Sequence, residues 1–496
     1  MTRFADYTRQ ALGEIHKSPL FREAAYIDGQ WWAGQSARLE VTDPGSGAVI
    51  GMVPDCGAGE AREAIHAAQR VFPHWRNLLP QERAGLLRRW YELMLAHREE
   101  LALIMTLEQG KPLAEARGEI DYAASFVEWY AEEAKRLHGE TLASHLPHRQ
   151  MLVQRVPVGV AVAFTPWNFP SAMITRKAAA ALAAGCPMVV RPASESPFSA
   201  LALAALAEQA GFPAGLFSVL TGEPGPICDT VMAAPEVRAV SFTGSTGIGK
   251  LLLRAGADSV KRMSMELGGH APFILFDDVD LEAGVQAAIQ AKFQTTGQDC
   301  LAANRIYVHK RHYEAFVARF SEATRRLRLG HGLAPNVDLG PLCHQRVVAK
   351  CAEQVSDALS RGARLTTGGN VSNLGSLFFE PTVLADVTPG MAIAREETFG
   401  PVAAILPFND EHEVLRQANA TPYGLVAYLY TNDPDRRYRM SQELEFGMVA
   451  VNCVKITGSP IPFGGVKESG LGREGGHHGL DEYTELKYVC TAFRAA

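Results

Sequence analysis

The sequence predicts an α/β protein with two doubly wound domains and a small β arm. Three observations carry that expectation. From Gly159 onward, short apolar runs at 160–164, 188–190, 216–220 and 239–242 alternate with alanine- and leucine-rich helical stretches, the mark of a parallel sheet wrapped by helices. A second alternation starts at the apolar run 272–276 and continues to about residue 452. Between the helical N-terminal region and the first alternation, 138–156 turns polar, and 151–156 alternates weakly, as an edge strand does.

Taken in order, 26–53 reads as short strands and turns. In the next segment Ala61, Ile65, Ala68 and Phe72 share one helical face. A long helix is expected over 81–108, ended by Gly110 and Pro112, and another over 113–137, with Ile120, Ala124, Val127 and Ala131 inward and its charges in solvent. The domain reading is 1–137 with 157–268 for the first unit and 269–460 for the second. The arm takes 138–156 and 476–496, where 481–489 reads as one more strand; it is expected to pair with another subunit.

Bulk properties narrow the function. The 496 residues exceed one ordinary core. Hydrophobic residues at 47% and charged residues at 21% describe a globular chain rather than a disordered one. A net charge of -6 argues against a nucleic-acid partner. No apolar run is long enough to span a membrane, and Met1-Thr-Arg-Phe-Ala-Asp-Tyr has no signal core, so a cytoplasmic protein is expected. The eight cysteines are scattered without metal-ligand spacing, and His477-His478 reads as solvated; no metal is expected.

The chemistry centres on Cys300. The helical run 281–293 ends at a break read at Gly297, and Cys300 stands just before the apolar strand 306–308. A free cysteine is usually a small core hydrophobe, so its companions must decide. Gly244-Ser-Thr-Gly-Ile-Gly249-Lys250 follows a strand and opens a helix, but Leu251 stands where a triphosphate-binding loop needs a hydroxyl for magnesium. A dinucleotide pyrophosphate at the helix N-terminus fits better. Gly470-Leu-Gly472-Arg-Glu-Gly475 spells a dinucleotide fingerprint, but it follows a loop and is set aside.

Six segments, in order, resemble the aldehyde dehydrogenase superfamily: Thr165-Pro-Trp-Asn168-Phe-Pro170, Phe242-Thr-Gly-Ser-Thr-Gly-Ile-Gly249, Met265-Glu266-Leu-Gly-Gly269, Gly297-Gln-Asp-Cys300, Glu396-Glu-Thr-Phe-Gly-Pro401 and Pro462-Phe-Gly-Gly-Val-Lys467. The resemblance covers nearly the whole chain and implies an aldehyde dehydrogenase-like fold and a homodimer or homotetramer. It also implies Cys300 as thiolate nucleophile, an oxyanion held by the Asn168 amide and the Cys300 N–H, and Glu266 as general base. Lys177 and Glu474 match positions used for proton relay or support. For the dinucleotide it implies Thr165, Pro166, Trp167, Arg191, Ala193, Ser194, Gly244, Ser245, Gly249 and Leu267, with Glu397 and Phe399 at the nicotinamide ribose.

The cofactor is expected to be NADP or NAD. Members that prefer NAD carry glutamate where this chain has Ser194, and Arg191 replaces the usual lysine, so acceptance of NADP is expected. Within the superfamily the chain looks most like the succinate-semialdehyde dehydrogenases. Arg176 matches the arginine that holds the far carboxylate, and Ser459 stands near an assisting serine. A second arginine of that group is Gln294 here, which leaves a longer semialdehyde, or an uncharged or aromatic aldehyde, open beside succinate semialdehyde. The cysteine that some relatives carry two residues after the nucleophile is Ala302, so no disulfide switch is expected there. From another class, a cysteine thioesterase or hydrolase would also use Cys300, but would want a histidine and no dinucleotide.

Overall fold

In the computed structural model, which describes residues 4–34 and 37–494, the first alternation forms an eight-stranded sheet. The ends of the expected outer segments, 1–3 and 495–496, lie outside the described residues, as do 35–36. The middle of that sheet is parallel, in the order Arg262–Glu266, Val237–Thr243, Val160–Phe164, Met188–Arg191, Phe217–Val219. Its strands are mostly apolar and buried because helices cover both faces. The helix Ala172–Ala184 is buried at every position, and its alanines allow close packing against Leu113–Glu133.

The second alternation forms a seven-stranded sheet, ordered Arg364–Thr367, Thr382–Ala385, Val402–Phe408, Ala303–His309, Ala271–Leu275, Val426–Tyr430, Met448–Val451. It is parallel apart from the first pair. Among the described residues no helix is long and apolar enough to cross a membrane.

Several elements differ from the sequence reading. The helix expected over 81–108 is two, Pro80–Ala96 and Arg98–Gln109, because His97 leaves the helical region (φ -104°, ψ 21°). No proline or glycine marks that break. The helix expected to 137 stops at Glu133, and a 3-10 turn follows. Its charges are not all solvated: Glu119 is buried against Lys111, and Glu133 is buried against Arg136 and His477. The strand read at 216–220 is only Phe217–Val219. The glycine run from 470 begins with a short strand, Gly470–Leu471, antiparallel to Arg262–Glu266. The arm strand Arg149–Pro157 pairs with this chain's own tail, Thr484–Ala492, over nine residues, with Glu140–Leu142 on its other edge.

Candidate active site

The strand register brings the first set of site residues to one edge. Phe164 pairs with Arg191, Phe242 with Phe164, and Thr243 with Glu266. The segments that follow each strand therefore emerge together: Thr165–Trp167, Ala193 and Ser194, Gly244 and Ser245, and Leu267. This is the carboxyl edge of a parallel sheet, where such folds bind ligands. Only residues 267–270 separate Glu266 from the second sheet. Cys300, Glu397 and Phe399 precede strands of that second sheet, at its amino edge. The short link folds the two edges onto one cleft. Two hydrogen bonds close it: Gly269 N–H donates to Glu397 Oε1 at 2.9 Å, and Asn168 Nδ2 donates to the Gln298 carbonyl at 3.0 Å.

The turn that presents Cys300 is strained. The helix Leu281–Phe293 breaks earlier than Gly297: Thr295 (φ 48°) and Thr296 (φ 57°) already lie in the left-handed region, and Gly297 (φ 73°) follows. Left-handed non-glycine residues cost about 1–2 kcal/mol each, so other contacts must hold them. Glu115 accepts from Thr295 N–H, Thr296 Oγ1 donates to the Gly340 carbonyl at 3.1 Å, and Gln298 Oε1 accepts from Cys343 N–H at 2.9 Å. Gly297 has no room for a Cβ, which would run into the Gly400 carbonyl. Gly269 is equally confined by the Cys300 carbonyl.

Cys300 is 8% exposed, and Glu266 and Asn168 are buried with it. Burial pushes the Cys300 thiol well above its usual range, and the charges of Glu266 and Asp299 push further. The thiol therefore holds its proton until a base takes it, and the thiolate expected as nucleophile forms only on activation. Burial also raises Glu266, to about 7, with Arg176 and Lys177 pulling the other way. Neither Glu266 oxygen has a hydrogen-bond partner in the protein, and neither does Asn168 Oδ1. The Asn168 amide spends one N–H on Gln298 and keeps the other free. Lys111 Nζ fixes the Asn168 backbone carbonyl at 2.7 Å and pairs with Glu119 at 2.5 Å.

Behind this group lies a buried charge cluster. Glu474 pairs with Lys177, and with Arg176 Nη2 at 2.6 Å; Lys177 Nζ also donates to Thr243 Oγ1 at 2.8 Å. Burial alone would raise Glu474, but the two cations overcome it and hold the carboxylate below its ordinary range. Arg176 stacks 4.1 Å over the Phe463 ring.

A cavity of about 600 Å³ opens onto Cys300. Arg176 and Gln294 line it, as the sequence suggested. Ser459 is absent from its wall, and Thr457, two residues earlier, lines it instead. Lys111, Tyr122, Lys455 and Phe463 were also missed. They come from two distant stretches, 111–122 and 455–463, and no local spacing could have joined these. No histidine lines the cavity, which disfavours a histidine-assisted cysteine hydrolase. Among the described residues no group of three or more His, Cys, Asp or Glu could hold a metal ion.

The carboxyl edge fits a dinucleotide. The helix Thr246–Ala257 starts without a side-chain cap from Ser245, so its first N–H groups remain for an anion. A Cβ on Gly249 would strike Leu267, so the helix and the loop after Glu266 approach closely. Arg191 Nη2 donates to Ser194 Oγ at 2.7 Å and the Gly222 carbonyl at 2.6 Å, and its Nε has no partner. Trp167 and Phe399 meet edge to face at 5.5 Å, Phe399 again in the left-handed region. Burial raises Glu397 to about 7.

Residues 31–489 match the aldehyde dehydrogenase family. The chain is 54% identical to a non-phosphorylating aspartate-semialdehyde dehydrogenase of Halomonas elongata, covering 95% of this chain and 96% of the other. It is 50% identical to the NADP(+) succinate-semialdehyde dehydrogenase GabD of Escherichia coli, covering 96% and 99%. The crystal structure of a succinate-semialdehyde dehydrogenase from Burkholderia pseudomallei superposes with a TM-score of 0.95 at 51% identity, covering 96% and 99%. With the Cys300 cleft and the dinucleotide edge in place, these likenesses show that the chain belongs to the aldehyde dehydrogenase family and oxidises an aldehyde with NAD(P).

Proposed function

We propose that this protein oxidises a semialdehyde with an anionic far end, succinate semialdehyde foremost, to the dicarboxylate. The observation that carries the reading is Cys300 at a 600 Å³ cavity beside Glu266, a carboxylate with no protein partner. The names of the similar enzymes support an anionic tail, and the wall carries three cationic side chains.

In this mechanism Glu266 takes the Cys300 proton, and the sulfur attacks the aldehyde carbon. The free Asn168 N–H and the Cys300 N–H hold the oxyanion of the thiohemiacetal. The nicotinamide, when bound, accepts the hydride. Cys300 is left as a thioester; Glu266 releases the thiol proton to solvent and, ionised again, takes a proton from the water that cleaves it, and the Cys300 thiolate leaves. Lys177 and Glu474 form a fixed ion pair behind Glu266 and steady its titration. Glu397 and Phe399 hold the nicotinamide ribose, Trp167, Gly244 and Ser245 lie near the pyrophosphate, and Thr165, Pro166, Gly249 and Leu267 complete the dinucleotide seat.

NADP is accepted and preferred in this reading. Ser194 brings no carboxylate to the adenosine ribose, and Arg191 is held beside it by its hydrogen bond to Ser194 Oγ. Residues 1–137 with 157–268 serve as the dinucleotide domain, 269–460 as the catalytic domain, and 138–156 with 476–496 as an oligomerisation arm. A panel of aldehydes assayed with both nicotinamides tests the whole. Higher kcat/KM for butanal or benzaldehyde than for succinate semialdehyde would reject the substrate class.

A further inference from the structure

We infer that Lys455 is the group that recognises the substrate's distal anion and sets specificity for it. The inference rests on the anionic-substrate reading above. Three cations line the cavity: Lys111, Arg176 and Lys455. Two are already neutralised, Lys111 by Glu119 at 2.5 Å and Arg176 by Glu474 at 2.6 Å. Lys455 has no ion pair or hydrogen bond among the described residues. It is therefore the cavity cation whose charge is free for a ligand.

Its position suits the role. Lys455 lies on the exposed segment after the strand Met448–Val451, so it stands toward the solvent side of the cavity. Cys300 and Asp299 lie at the buried side. Asp299, next to the nucleophile, has one oxygen engaged by Leu301 N–H at 3.0 Å, and Glu115 in the same wall accepts only from Thr295 N–H. An unpaired ammonium at the opening attracts an anionic tail and leaves the aldehyde end toward the sulfur. Gln294 and Thr457, both exposed in the same wall, supply neutral donors beside it. A lysine on a flexible stem demands less geometry than a planar guanidinium, so it suits tails of more than one length.

The test measures kcat and KM of wild type, K455M, K455R and Q294R/K455M with succinate semialdehyde and with butanal, at low and high salt. In K455M, KM for the semialdehyde should rise roughly tenfold or more, with kcat little changed. Its butanal kinetics should stay within about twofold, and the salt dependence of the semialdehyde KM should flatten. K455R, and Q294R/K455M with its cation moved across the wall, should recover most of the loss. Wild type preferring the semialdehyde while K455M keeps wild-type kinetics on both aldehydes overturns the Lys455 assignment alone. So does an equal loss on both. Wild type with no preference for the semialdehyde overturns the substrate reading and Lys455 with it.

Discussion

A thiol 8% exposed, with the carboxylates of Glu266 and Asp299 acting on it, stays protonated near neutrality. Glu266, raised to about 7 by burial, can accept that proton only in its ionised form. Below about pH 7 it is protonated and cannot act; above, it can. Oxidation should therefore increase from pH 6 to pH 8. In E266Q that limb should vanish, and both the first burst of reduced nicotinamide and steady-state turnover should fall about 100-fold or more. Steady-state pH profiles and stopped-flow absorbance check both. C300A should have no dehydrogenase activity yet still quench its tryptophan fluorescence with dinucleotide; retained turnover would remove Cys300 from the chemistry. At Ser194, S194E sets a carboxylate beside Arg191 and should shift the NADP/NAD ratio of kcat/KM toward NAD by roughly tenfold or more. An unchanged ratio would mean that residue 194 does not face the adenosine ribose.

The element that matters most is the broken helix end at 294–297, because it holds Cys300 at the cleft. Gly297 is confined by its left-handed φ and by the Gly400 carbonyl. G297A should cost more than about 1–2 kcal/mol from the backbone alone, since the added methyl must also displace a carbonyl. Lower Tm together with lost activity is expected; a variant as stable as wild type would show that the turn can relax. The sequence located this break but set it at the glycine. Threonine carries no signal for a left-handed conformation, and the restraints on Thr295 and Thr296 come from Glu115 and Gly340, far along the chain. The split at His97 was hidden for a similar reason: no helix breaker stands there. Strand alternation, by contrast, could be read directly, because buried parallel strands are apolar over most of their length.

Across the whole molecule, the arm leaves Leu486, Tyr488 and Phe493 largely exposed beside Leu142 and Leu146. Its pairing is satisfied within the chain, yet this apolar surface is unusual for a solvent-facing sheet. L486D/Y488D should sediment as a smaller species than wild type if the arm joins subunits; identical sedimentation of a monomeric wild type would remove that role. The sequence by itself determined the two α/β alternations, the family, and the motifs that place Cys300, Glu266 and Asn168 as candidates. Each depends on a local pattern: apolar periodicity, a glycine before a helix, or a motif in fixed order. Only the tertiary structure decided that the thiol rests protonated, that Arg176 is already paired with Glu474, that Thr457 rather than Ser459 lines the cavity, and that Lys455 stands there unpaired. Those properties arise from desolvation and from charges contributed by segments hundreds of residues apart, and a linear sequence carries no term for either.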